Sequence, residues 1–111
     1  MLTLLTTSLL LNLFSKLVEV PKIEPIEILL DKLAICESDN RSDAINIMDG
    51  DASSFGAYQF KIKTFVHFGR RYGLPHDDIW SSEQQRAIAK EMLLEQRWKH
   101  WYNCYKKITF K

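Results

Sequence analysis

PIEILLDKLAICES, residues 25–38, is the stretch on which the reading of the whole chain turns. Ile26, Leu29, Leu30, Leu33 and Ala34 recur at the spacing of one helix face, while Asp31 and Lys32 fall on the other. Pro25 suits a first helical turn, where its missing N–H costs nothing, and Glu27 places a carboxylate where the helix dipole favours it. The pattern predicts an amphipathic helix over about 25–37. Glu37 lies eleven residues after Ile26, seven after Leu30 and four after Leu33, which puts it on the apolar face. A carboxylate there is desolvated, so its pKa rises and it keeps a proton near neutral pH, the property of a general acid. A fraying helix end that lets the side chain reach water fits the same spacing, and periodicity does not separate the two.

Downstream, residues 38–60 read SDNRSDAINIMDGDASSFGAYQF, rich in the turn formers Asp, Ser, Asn and Gly. A short extended piece is expected around Ile45–Met48, with a turn at Asp49-Gly50-Asp51. In the string Gly56-Ala57-Tyr58-Gln59-Phe60, Gly56 allows close backbone approach and Gln59 offers amide donors and an acceptor. A second helix is predicted over about Ile62–Tyr72, stopped by Gly73 with Pro75 following. Ser81-Ser82-Glu83-Gln84-Gln85 opens a third through a capping box in either of two registers. That helix is expected to reach Trp98 or beyond, with Ile88, Met92 and Leu93 inward. The fold class is therefore mainly α, or a small α+β fold if the segment after the first helix forms a hairpin rather than a loop.

The chain has 111 residues, enough for one domain with a thin core. A net charge of +1 gives no basic surface for nucleic acid. Residues 1–15, MLTLLTTSLLLNLFS, carry no charge and suit the apolar part of a secretory signal or a membrane anchor. They also suit an N-terminal helix packed on the domain. Pro21 and Pro25 mark a linker, which divides the chain into a leader at 1–24 and a working domain at 25–111. Cys36 and Cys104 read as buried thiols in a reducing compartment and as a pair in an oxidising one. His67, His76 and His100 are scattered, so neither a metal site nor a cofactor is expected.

Taken in order, Ala34-Ile35-Cys36-Glu37-Ser38, the Gly56–Phe60 string and Trp101-Tyr102-Asn103-Cys104 resemble the lytic transglycosylase and lysozyme-like superfamily. Within it they are most similar to the resuscitation-promoting-factor type of peptidoglycan-cleaving domain, over about 28–106. The resemblance implies a lysozyme-like domain that cleaves peptidoglycan strands between N-acetylmuramic acid and N-acetylglucosamine, as a secreted or envelope-bound monomer. It makes Glu37 the catalytic acid/base and places Ser38 beside it or the sugar. It has Gly56, Tyr58 and Gln59 bordering the glycan and joins Cys36 to Cys104 in a disulfide. Asp49 and Asp51 fall where some goose-type lysozymes carry a second acidic residue; both also fit a turn with Gly50.

Two departures matter. Ala57-Tyr58 replaces the usual Leu or Met before the Gln, and Tyr102-Asn103 is followed by Cys104 rather than a small residue and Gly. Packing is the expected role for Tyr102 and Asn103. With one carboxylate, the chemistry is a substrate-assisted transglycosylation; with a second, water becomes the acceptor. The competing class is a non-catalytic glycan-binding or envelope module, with Tyr58, Trp80 and Trp101 forming a platform. Arg70-Arg71 and Lys106-Lys107 are read as solvated surface charges.

Overall fold

A computed structural model of the protein describes residues 25–47 and 53–110. The leader expected at 1–24 and the turn containing Asp49 and Asp51 lie outside the described residues.

Helix α1 spans Ile26–Ser38 and buries Leu29, Leu30, Leu33 and Ala34, the face that the spacing predicts. It ends through two successive left-handed residues, Asp39 at φ 56° and Asn40 at φ 59°. Their N–H groups donate back to the Ile35 and Ala34 carbonyls at 2.9 and 3.0 Å, which satisfies the helix end. Asp and Asn tolerate this backbone region better than other non-glycine residues.

The chain then forms a small antiparallel hairpin, β1 (Ile45–Asn46) against β2 (Ser54–Phe55), with Ile45 opposite Phe55. Two such short strands have no stability of their own. Helix α2 spans Ile62–Tyr72 and stops at Gly73, whose φ of 63° suits glycine. Helix α3 spans Ser82–Leu94, and the Ser81 hydroxyl accepts from the Gln84 N–H, which selects one of the two capping registers. The Gln84 side chain does not complete the box; it accepts from Asp78 N–H and donates to Asp77.

Helix α3 ends at Leu94 and does not run on to Trp98 as the sequence pattern suggested. Gln96 turns left-handed at φ 62°, and the Arg97 N–H returns to the Met92 carbonyl at 2.8 Å. The reversal lets a 3₁₀ turn, Trp98–Trp101, push Trp101 into the core, where a straight helix would have carried it past. Helix α4, Tyr102–Thr109, then brings Cys104 back to α1. The result is mainly helical with one small hairpin.

Leu30, Leu33, Phe60, Phe65, Ile88, Met92 and Trp101 form the centre of the core. Phe60 meets the edges of Phe65 and Trp101 at 5.7 and 5.6 Å between ring centres. Outside it, Arg86 of α3 pairs with Glu27 and Asp31 of α1, and Lys90 also reaches Glu27. These partly exposed pairs add little stability each and fix the relative register of the two helices. No helix among the described residues is long and apolar enough to cross a membrane.

Cys36 and Cys104 are joined in a disulfide, with Cα atoms 5.8 Å apart and a sequence separation of 68. A closed loop of that length restricts the unfolded chain by roughly 4 kcal/mol in the chain-entropy account. The double variant Cys36→Ser/Cys104→Ser is therefore expected to lose roughly that much stability in urea unfolding at neutral pH. Reductant should lower the midpoint of the parent protein and leave the double variant unmoved.

Candidate active site

The last turn of α1 presents Glu37, and of the two orientations that its spacing leaves open the structure takes the half-buried one. Glu37 is half-buried, and burial holds its carboxyl above the usual carboxylate range. Among the described residues no hydrogen bond or ion pair engages that carboxyl, so desolvation acts without a compensating cation. Arg41, the nearest basic residue in sequence, pairs with Asp43 instead, at 3.3 Å.

Ser38, the next residue, joins the helix end to the Gly56–Gln59 segment. Its hydroxyl donates to the Ala57 carbonyl at 2.7 Å and accepts from the Arg41 N–H at 3.0 Å. The segment itself is a tight four-residue turn closed by Phe55 and Phe60, whose N–H and carbonyl groups exchange bonds of 2.9 and 3.0 Å. Gly56 opens it at φ 79° and Gln59 closes it at φ 52°. The Gln59 amide donates to the Gly56 carbonyl at 2.9 Å and to the Ala44 carbonyl at 3.4 Å, so it stitches the turn to the hairpin. His100 backs this corner. It stacks on Phe60 and hydrogen-bonds the Gln59 backbone, and burial, aided by the Lys61 charge, pulls its pKa down to about 4.

The expected roles of two residues change on this geometry. Tyr58, anticipated along the glycan, is only 2% exposed, and its hydroxyl donates to the Leu30 carbonyl at 3.1 Å. Burial also pushes that hydroxyl's pKa up, which preserves it as a donor. Ser38 commits its hydroxyl to backbone. Trp101, 1% exposed, donates its indole N–H to the Tyr58 carbonyl at 2.9 Å. The Tyr58–Trp80–Trp101 platform does not form, since two of its three rings are in the core; Trp80 alone is exposed, at 43%, edge-on to Phe55. Tyr102 is exposed, stacked on Trp98 and covered by the Lys106 ammonium. Asp49 and Asp51 cannot be placed, being outside the described residues.

Residues that the sequence reading passed over complete the frame. Gln85 entered only as a capping candidate, yet it is fully buried between the turn and α3. Arg86 donates to the Tyr58 hydroxyl at 3.1 Å besides its two carboxylates. The signal for Gln85 was available: it falls three residues before Ile88, on the inward face of α3. Among the described residues no group of three or more His, Cys, Asp or Glu could hold a metal ion.

The helical, disulfide-tied domain thus carries a half-buried carboxyl, unpartnered among the described residues, at a helix end that Ser38 ties to a glycine-opened turn. The chain belongs to the transglycosylase-like domain family, whose model matches residues 25–104. This places it in the lytic transglycosylase and lysozyme-like superfamily that its motifs resemble. No curated protein and no solved structure matches the chain.

Gly56 tests the turn. Its φ is in the region that L side chains rarely adopt, and a Cβ there would collide with the Gln85 amide. Gly56→Ala should cost at least about 1–3 kcal/mol from backbone strain alone, read as a lowered urea midpoint. A variant as stable as the parent would show that the turn is not held as described.

Proposed function

We propose that the protein cleaves the glycan strands of peptidoglycan as a lytic transglycosylase, with Glu37 as its one acid/base. The observation that carries this reading is the half-buried Glu37 carboxyl, raised in pKa by burial and unpartnered among the described residues. It sits on a chain whose family is the transglycosylase-like domain. The narrower kinship proposed is with the resuscitation-promoting-factor type, on the order of its Cys-Glu-Ser, Gly-x-x-Gln-Phe and Trp-x-x-Cys elements.

In this mechanism the protonated Glu37 gives its proton to the oxygen between N-acetylmuramic acid and N-acetylglucosamine as the C1–O bond breaks. The muramic acid's 2-acetamido group stabilises the positive charge that develops at C1. The Glu37 carboxylate then takes the proton of the sugar's own 6-hydroxyl, whose oxygen attacks C1 and closes a 1,6-anhydro ring. The acid is regenerated and no water is consumed. The Gly56–Gln59 backbone borders the glycan, and Ser38 and Tyr58 support that border from beneath. Asp49 or Asp51 would matter only if one of them activated a water, which would turn the enzyme into a hydrolase. No cofactor or metal takes part. The disulfide fits an oxidising location, so we place the enzyme in the cell envelope or outside the cell.

Glu37→Gln should lower the rate of strand cleavage by about 10²- to 10⁴-fold while glycan binding persists. Products of the parent protein should carry anhydro ends by mass spectrometry; reducing ends, one water heavier, would make it a hydrolase. Unchanged cleavage by Glu37→Gln would remove Glu37 from the mechanism, and binding without any product would leave a glycan-binding module. The acid form of Glu37 starts the reaction, so activity should fall as pH rises through its pKa. The raised pKa moves that alkaline limb above the range of an ordinary carboxylate.

A further inference from the structure

Gln85 is a fully buried polar side chain that the mechanism above does not use. Its Oε1 accepts from the Tyr58 N–H at 2.8 Å. Its Nε2 donates to the Phe55 carbonyl at 2.8 Å and to the Ile79 carbonyl at 2.5 Å. One amide on α3 therefore ties together the end of β2, the middle of the Gly56–Gln59 turn and the loop before α3. Gly56 lies against its face so closely that no side chain fits between them.

The chemistry admits only an amide. Two backbone carbonyls need donors and one N–H needs an acceptor, and only the side-chain amide of Gln or Asn supplies both. An ionised carboxylate of the same shape would set negative oxygen against two carbonyls, and an apolar chain would take their side-chain partner from the Tyr58 N–H and the Ile79 carbonyl and leave the Phe55 carbonyl only its bond from the Phe60 N–H. We infer that Gln85 is a positioning residue for the Glu37 acid/base. It fixes the turn, and the Ala57 carbonyl, through its bond to the Ser38 hydroxyl, fixes the helix end that carries Glu37. This rests on the reading of Glu37 as the acid/base. A displacement on the order of 1 Å between acid and scissile oxygen costs up to about 100-fold in rate, so the linkage acts on kcat more than on binding.

The test uses the full-length, disulfide-bonded protein on soluble peptidoglycan fragments, below the measured melting midpoint of each variant. Gln85→Met should lower kcat by about ten- to a hundred-fold with KM nearly unchanged, and shift the alkaline limb towards lower pH as Glu37 becomes better solvated. Gln85→Glu should be equally poor near neutral pH and recover towards the parent as pH falls, because protonation restores a donor for one of the carbonyls. Ser38→Ala breaks the same linkage at its half-buried end, without touching the core, and should reproduce the loss in kcat. If neither Gln85 variant folds, Ser38→Ala decides. A folded Gln85→Met with parental kcat and pH limb, or Ser38→Ala with parental kcat, overturns the inference. Glu37→Gln run alongside separates the two claims: retained turnover there removes the acid/base reading itself, whereas its loss beside fully active Gln85 variants overturns only the positioning role.

Discussion

The bond from the Ser38 hydroxyl to the Ala57 carbonyl, 2.7 Å long, joins the end of α1 to the Gly56–Gln59 turn. On one side is a helix end whose last inward residue is a carboxylate. On the other is a turn that needs a glycine in a left-handed conformation and has almost no volume to spare. A carboxylate at a free helix end would be hydrated, and burial at this junction is what raises the pKa of Glu37.

The polar groups of the core serve that junction. Tyr58 is held at three atoms: its N–H by Gln85, its carbonyl by the Trp101 indole, and its hydroxyl bound to Leu30. Each buried polar atom so satisfied removes a desolvation penalty that would otherwise favour opening the turn. The arrangement also explains why α3 stops early. Trp101 reaches the Tyr58 carbonyl only because Gln96 reverses the chain, and the same reversal delivers Cys104 to Cys36. The disulfide lies one residue from Glu37, so the constraint on the unfolded chain and the placement of the acid come from the same few residues.

Charge plays a smaller part. Arg86 and Lys90 pin α1 to α3 through Glu27 and Asp31, and Glu95 is held down to about 2 chiefly by its bonds to Arg71. None of these pairs touches Glu37. Among the described residues no cation pairs with that carboxyl, so burial raises its pKa, whereas a guanidinium beside it would pull the value down.

Local rules made much of this legible in the sequence. The buried face of α1, the span of α2 and its glycine stop at Gly73 each depend on residues a few positions apart, so spacing and residue type determine them, whereas the capping register at Ser81 and the side to which Glu37 turns were left open by the same spacing. The motif order sufficed for the family and for the cysteine pair. What spacing could not determine was which side chains spend their polar atoms inside. Tyr58 looked like a cleft residue and is a core residue, while Gln85 looked like a cap and is the hub of the turn. Those outcomes depend on partners 27 and 28 residues away meeting in three dimensions. A hydrogen bond between distant segments has no period in the chain, so only the packed tertiary structure decides it.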